Sequence, residues 1–469
     1  MSQRFFMTSA PSPAKRLPNR TLAAFSAACL PYAALGLPVY VTLPEFYASH
    51  VGVDLALVGV IFLVIRLADI VVDPALGMVI DRTHSRFGRY RLWMGMAAPV
   101  LMLAVGMLFM VSPGAGGAYL AIWLIVLSLG FSVSLLSQVS WASTLTSDYD
   151  QRSRIYGWWQ TANIVGVLVV LLIPALVQNL GIGDYASAVR WQGWFIIVAL
   201  PLTLAITFAF TPEPKAGPSP DKAARFAYLS LFKLPVMQRL LTADLMLGIA
   251  RGVVGALFFY FFEAVQGFAR AETSILLLVY FVAGLAGAPV WSALAVRMGK
   301  HAALILACVY FAATLLLAAF AGPVLVPLAE AAGLGNAEVV VAGLMVALVG
   351  LAFASGDLLL RAMMADVADQ VRLEQGEDRT GLLFSILTAT SKLGYAVSVM
   401  TFAGLRLTGF DPTLGGANSE TALIWLQAMF AGLPALCLVV GAWALWRYPL
   451  DQKRHAEIRA ALEARGGAG

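Results

Sequence analysis

In a chain of 469 residues, apolar side chains make up 60% while Asp, Glu, Lys and Arg together make only 12%, about half the charge a water-soluble surface carries. Water is therefore excluded as the solvent of most of the surface, and the length leaves no room for a large soluble domain beside about twelve crossings of roughly 20 residues each. The net charge of +5 does not call for nucleic acid, because about 24 of the 31 Lys and Arg fall in the N-terminal arm, the even-numbered connections and the tail, as membrane topology requires.

In chain order, Arg4, Lys15, Arg16 and Arg20 precede a first apolar run with no clean cleavage site, so residues 1–21 read as a cytoplasmic arm before a retained helix. Apolar runs begin near Leu22, Leu55, Trp93, Tyr119, Ile155 and Trp191, a bundle over 22–212. A Pro-, Gly- and Lys-bearing stretch, EPKAGPSPDKAAR, marks a cytoplasmic linker over 213–237. A second set begins near Leu240, Ser274, Ala302, Ala337, Gly381 and Thr421, giving a bundle over 238–446 and a cytoplasmic tail over 447–469. GMVIDRTHSRFGRYR after the second run is echoed by SALAVRMGKH after the eighth, the mark of a duplicated architecture. The tail alternates Arg454, Glu457, Arg459 and Glu463 and reads as a solvated or membrane-surface helix.

Charges inside the apolar runs are the informative ones, since each costs about 2.5–3.5 kcal/mol at mid-bilayer on insertion scales. Arg66, Asp69 and Asp73 stand at offsets of zero, three and seven, on one helix face. One Arg between two acids leaves an acid uncompensated, which invites a proton or a hard cation; the alternative is a buried Arg–Asp clamp. Lys392 is isolated in SILTATSKLGYAVSVM and needs a partner: Asp69 or Asp73 across a central cavity, or a fixed interbundle pair. Asp357 with Arg361, and Asp244 with Arg251, read as structural pairs. Asp81, Arg82, Arg89 and Arg91 form a basic turn at the cytoplasmic side, and Asp366 and Asp369 face a loop with Arg372 and Arg379; both groups fit a cytoplasmic gate or plain topology. For substrate, Ser137, Gln138 and Trp141 on the fourth run and Trp158, Trp159 and Asn163 on the fifth offer hydroxyl, amide and aromatic faces suited to polyols, although serines also serve close helix packing.

Cys29, Cys308 and Cys437 lie far apart in apolar runs, which suggests neither a disulfide framework nor a metal knuckle. The four histidines, His50, His84, His301 and His455, have no metal spacing, and no nucleophile–base pair emerges, so neither an enzyme nor a cofactor is expected. A non-transporting sensor of the same fold stays open.

The segments RLADIVVDPALGMVIDRTHSRFGRYRLW and MADVADQVRLEQGEDRTGLLFSILTATSKLGYA resemble the paired signatures of the glycoside-pentoside-hexuronide:cation symporters of the major facilitator superfamily. The resemblance spans nearly the whole chain. It implies an all-α polytopic fold of twelve transmembrane helices in two six-helix bundles, and uptake of a sugar, glycoside or related polar solute with sodium, a proton or lithium. Asp69 and Asp73 match the acids that hold the cation, Arg66 lies beside them and Lys392 near the site. It further implies a multi-pass protein of a bacterial inner membrane with both termini cytoplasmic. We expect its partners to be substrate, monovalent cation and bilayer, with no nucleic acid, and the chain to act as a monomer. The family's galactoside carriers place carboxylates where this chain has Ala33 and Ser137, and its fifth-helix arginine gives way to Trp158 or Trp159, which keeps a lysolipid-like cargo open as the alternative.

Overall fold

The computed structural model describes residues 17–40, 42–146, 148–181, 183–213, 231–333, 335–398 and 400–466. The arm up to residue 16 and linker residues 214–230 lie outside the described residues. Helices α1 (Asn19–Ala27), α2 (Cys29–Tyr40), α3 (Thr42–Phe46), α4 (Leu55–Arg82), α5 (Arg89–Phe109), α6 (Gly117–Thr144), α7 (Tyr149–Asn179) and α8 (Tyr185–Phe210) precede the linker. After it come α9 (Pro235–Tyr260), α10 (Arg270–Met298), α11 (Lys300–Phe320), α12 (Gly322–Ala331), α13 (Ala337–Leu351), α14 (Phe353–Gln375), α15 (Thr380–Ser398), α16 (Met400–Leu407), α17 (Glu420–Gln427), α18 (Leu433–Ala444) and α19 (Gln452–Gly466).

Helix is the only regular form among the described residues, as a bilayer demands: with no water to bond to, every backbone group must be satisfied within its own segment. Nine spans among them are long and apolar enough to cross a membrane. The other positions of a twelve-span layout are held by α1 with α2, by α4, and by α15 with α16. The first and last of these are interrupted, and α4 carries Arg66, Asp69 and Asp73 midway. Side chains cap the ends: Asp54 accepts from Leu57 N at 2.9 Å ahead of α4, and Asp184 from Ser187 N at 2.9 Å ahead of α8. Pro74 within α4 has no N–H, so the carbonyl of Ile70, one turn back and beside Asp73, loses its intrahelical donor. Large apolar side chains such as Val71, Leu202, Ile275 and Leu436 stand exposed around the outside, a surface suited to acyl chains and not to water.

Before the linker, α2 packs on α7, α4 on α6, and α5 on α6 and α8; after it, α9 packs on α15 and α18, and α10 on α13 and α14. Two seams join these groups, α4 against α15 and α7 against α10, and exchanging the halves of the chain exchanges one seam for the other. The α4–α15 crossing is close enough to require glycine on both sides. A Cβ on Gly77 would lie 2.6 Å from the Gly381 carbonyl oxygen, and one on Gly381 would lie 2.8 Å from the Gly77 carbonyl oxygen. The second seam carries a hydrogen bond from Ser292 Oγ to the Ser153 carbonyl, 3.1 Å.

The tail departs in part from the sequence reading. Helix α19 docks on the end of α14 through His455 and Ile458, 1% and 2% exposed, while Arg454, Glu457 and Glu463 of its charge pattern stay in solvent.

Candidate functional site

Asp69 and Asp73 converge from one face of α4 on a single ammonium. Lys392 Nζ, from α15, stands 3.1 Å from Asp69 Oδ2 and 2.7 Å from Asp73 Oδ2, with Ser132 Oγ of α6 at 3.4 Å. Asp69 also accepts from Ser128 Oγ at 2.5 Å. Asp73 is 1% exposed, and its Oδ1 is buried with no hydrogen-bond partner among the described residues. An unmet carboxylate oxygen in a dry interior is costly unless something positive reaches it. A cavity of about 30 Å³, room for one or two waters, runs between α2, α4 and α6 past Gly36, Phe62, Arg66 and Ser128 to Asp69.

Arg66 lines the same cavity as Asp69. Its guanidinium lies 5.9 Å from the ring centroid of Tyr395, while the lysine takes the acids' oxygens. The pairing of Asp244 with Arg251 is corrected. Seven residues on one helix are about 10 Å apart along its axis, so each turns to a nearer neighbour. Arg251 Nη1 reaches Asp357 Oδ2 at 2.7 Å, and Asp244 accepts from Ser391 Oγ at 2.8 and 2.9 Å. Asp357 also pairs with Arg361 at 2.7 Å, as their spacing predicts.

The polar residues of α6 are buried among helices in this conformation. Ser137, Gln138 and Trp141 are each fully buried within the first bundle. Gln138 donates to Cys29 Sγ at 3.1 Å, and Trp141 packs edge-on against Phe25, donating to the Pro212 carbonyl at 3.1 Å. The Gln138 amide N–H and the Trp141 indole N–H serve helix contacts, while Ser137 Oγ and Gln138 Oε1 are buried with no hydrogen-bond partner among the described residues. On α7, Trp158 is half-buried, Asn163 donates to the Trp159 carbonyl at 2.8 Å, and Trp159 lies beneath the Arg361 guanidinium, 4.4 Å from ring centroid to Cζ.

The end of the molecule that bears the linker and α19 is closed by two ionic clusters. In the first, Asp81 of α4 caps the other bundle: its oxygens accept from Gly381 N at 2.7 Å and Leu382 N at 2.8 Å, in the first turn of α15, whose N–H groups have no intrahelical acceptor. Arg89 spans the same junction, 2.9 Å from Asp378 Oδ2. Burial pushes the Asp378 carboxyl up, but Arg89 and the Thr380 hydroxyl outweigh it and hold it below the usual range. Arg91 and the backbone N–H of Tyr90 engage Glu213, which anchors the start of the linker; burial raises that carboxyl. Arg82 is exposed.

In the second cluster, Arg152 of α7 reaches Asp366 Oδ1 at 2.9 Å and Asp369 Oδ2 at 2.8 Å. Lys300 of α11 adds 2.6 Å to Asp366, while His455 and Arg459 of α19 reach Asp369 at 3.0 and 3.4 Å. The partners expected of these acids, Arg372 and Arg379, are elsewhere: Arg372 is exposed and Arg379 pairs with Glu377 at 2.6 Å.

The Asp81 cap gives a direct expectation. Asp81→Asn leaves one neutral acceptor for two N–H groups, so amide exchange at Gly381 and Leu382 should speed by about 2- to 30-fold, the equivalent of a cap worth about 0.5–2 kcal/mol. Hydrogen–deuterium exchange of the peptide starting at Thr380 reads it, and an unchanged rate removes Asp81 from the closure.

Comparison with known proteins gives the family and the fold. The family described as MFS/sugar transport protein matches residues 24–452. A lactose permease of Lactobacillus delbrueckii subsp. bulgaricus is 25% identical over 91% of this chain and 70% of its own length. An isoprimeverose transporter of Lactiplantibacillus pentosus is 25% identical, covering 89% and 86%, and the glucuronide carrier protein homolog of Escherichia coli is 24% identical, covering 90% of each. Among solved structures, the Escherichia coli fucose:proton symporter superposes with a TM-score of 0.64 at 15% identity, over 92% of this chain and 98% of that one, a likeness of fold.

Proposed function

Because this chain belongs to the MFS/sugar transport family, the glycoside-pentoside-hexuronide:cation symporters of the major facilitator superfamily, we propose that it carries a sugar or glycoside by alternating access, coupled to a monovalent cation bound at Asp69 and Asp73. It is a multi-pass membrane transporter and not an enzyme. Its relatives' names point to sugars, and the carrying observation here is the acid pair that shares one ammonium and leaves Asp73 Oδ1 unmet.

The arrangement suits exchange of one positive charge for another. A sodium, lithium or hydrogen ion arriving at the pair competes with Lys392 for the same oxygens, and Ser128 Oγ and the Ile70 carbonyl freed by Pro74 offer neutral oxygens beside them. Release of Lys392 then loosens a tie between α4 and α15, the elements of one seam. Cation binding and bundle movement are coupled through that tie. Trp158, half-buried on α7, supplies the aromatic face for the sugar ring.

The end bearing the linker and α19 is assigned to the cytoplasm on the positive-inside rule, in a bacterial inner membrane, with the chain acting as a monomer. The Asp81 and Arg152 clusters then make this the conformation closed to the cytoplasm.

The test is uptake into proteoliposomes of glycosides, pentosides, uronic acids and a lysolipid, with sodium, lithium or pH gradients. Accumulation of a sugar driven by one cation is the expected result. Linkage adds a second: substrate must raise cation affinity by the same factor that the cation raises substrate affinity. A lysolipid moved while no sugar is would replace the sugar reading. Downhill movement indifferent to every cation would remove the coupling.

A further inference from the structure

We propose that the second bundle carries a lipid site at the end away from the linker, which seats an acyl chain of a phospholipid and holds that lipid's ammonium headgroup on Glu338. The site lies apart from Asp69 and Asp73, and nothing in it depends on the cargo.

The first observation is a cavity of about 520 Å³, within the roughly 300–1,000 Å³ usual for small-molecule sites. Its walls come from the turn after α9, the end of α11, α12, the first half of α13 and the end of α17. All of these follow the linker, so the second bundle builds the cavity alone. π-Helical turns adjoin it at Phe261–Val265, after α9, and at Ala428–Gly432, after α17, and the rings of Phe261 and Phe430 stack at 4.2 Å. Such turns are rare and concentrate at functional sites.

Helix α12 shows which phase the occupant comes from. Its ten residues reach about 15 Å, half of a hydrocarbon core, so it does not cross. Gly322, Pro323, Val326 and Pro327 line the cavity from one face, while Val324 and Leu328 on the opposite face are 64% and 61% exposed. Phe320, at the end of α11, both lines the cavity and is 53% exposed. Exposed apolar side chains on a membrane protein meet acyl chains, so this wall is continuous with the lipid surface.

The polar groups of the lining decide the headgroup. Glu338 stands in the first turn of α13, exposed and without an ion pair among the described residues. Gln427 donates Nε2 to the Ala319 carbonyl at 2.7 Å and keeps Oε1 as an acceptor. The Gln266 side chain makes no hydrogen bond among the described residues and lies against the start of α12, its Oε1 3.8 Å from where a Cβ on Gly322 would stand. No Lys, Arg or His is among the described residues that line the cavity, and Glu330 at the end of α12 is a further exposed acid. Acceptors and negative charge favour an ammonium and disfavour an anionic headgroup. A phosphatidylethanolamine answers both halves of the site, with its chain among the apolar walls, its ammonium on Glu338 and the Gln266 amide donating to its phosphate. Phosphatidylglycerol has the same chains and no cation, and sets its phosphate against the acid.

The probe is a phosphatidylethanolamine with a diazirine in one acyl chain, photolysed in proteoliposomes of the full chain and mapped by peptide mass spectrometry. Label should fall on α12 and the first half of α13. Unlabelled phosphatidylethanolamine should compete for it at about a tenth of the concentration that phosphatidylglycerol needs, the worth of one charge-assisted hydrogen bond. Glu338→Gln, a change at an exposed position, should erase that preference and leave the label in place. Ala342→Trp, which fills the cavity, should remove the label, with a cooperative thermal transition showing that the variant is folded. Glu338→Gln decides the question even where Ala342→Trp fails to fold. Label spread evenly over the lipid-facing helices, equal competition by the two lipids, or a preference that survives Glu338→Gln overturns the site. Competition by water-soluble glycerophosphoethanolamine at the same concentration as the lipid makes a soluble amine the ligand and overturns the lipid assignment.

Discussion

Replacing Asp73 with Cys is expected to abolish cation dependence while leaving a folded protein. The substitution removes the carboxylate nearest the ammonium, 2.7 Å from Lys392, and the buried oxygen that lacks a partner. Lys392 keeps Asp69 and Ser132, so the seam between α4 and α15 is not left with an unpaired charge. What is lost is the second acid. A single carboxylate already neutralised by lysine has little to offer a cation, so a coupling factor of about 5- to 150-fold should collapse towards one. Accumulation against a gradient stops, while exchange of substrate without a cation gradient continues. Lys392→Ala should do the opposite at the cation step. With the competing ammonium gone, cation affinity rises, by about tenfold if the pair loses its counter-ion wholly, and transport falls because the tie between bundles no longer answers to the cation. Isothermal titration with sodium, set beside counterflow, measures both. Unchanged sodium dependence in the Asp73 variant would take the cation away from this pair.

The second large effect is expected at Arg152. This residue is 3% exposed and joins α7 to two acids of α14, a bond across the bundles. Arg152→Gln leaves Asp366 with Lys300, and Asp369 with His455 and Arg459, all of them on α11 or α19. The acids stay compensated, so folding survives, but the link to the first bundle is cut. Breaking a buried pair costs about 3–5 kcal/mol when nothing replaces it, and even a third of that shifts a two-state equilibrium about tenfold. The closed end should therefore open. Ser385, fully buried at the glycine crossing of α4 and α15, reports it: a cysteine placed there should resist alkylation in the parent protein and react readily once Arg152 is Gln. Equal reactivity in both would mean that the Asp81 cap and the Arg89–Asp378 pair close this end alone.

What could be read in the sequence divides along a physical line. Asp69, Asp73 and Lys392 are legible because a charge at mid-bilayer is expensive wherever it lies, so its presence alone carries meaning. The spans are legible for the converse reason, that apolar runs of this length have few other uses. Arg152, Lys300 and His455 are not, because charges near a membrane edge are explained equally well by topology. Their partners also lie far away in sequence, Arg152 from Asp366 by 214 positions and from His455 by 303. The α6 side chains mislead in another way. Ser137, Gln138 and Trp141 are polar or aromatic in an apolar helix, and only packing tells whether such groups face a cargo or a neighbouring helix. Arg361 is the reverse case: its spacing from Asp357 suggests a self-contained pair, and nothing in the sequence reveals that Arg251 shares the same acid or that Trp159 lies beneath it.

The lysine between the two acids has an electrical consequence. Without its ion the site holds Lys392 and Arg66 against Asp69 and Asp73, two charges of each sign, so the empty protein can reorient with no net charge carried through the membrane field. Loading adds one unit. At about 2.3 kcal/mol per elementary charge for each 100 mV, the resting potential would draw a carrier loaded with cation and neutral sugar inward. A carboxylate on the sugar cancels that unit, and the loaded step becomes blind to voltage, driven by concentration alone.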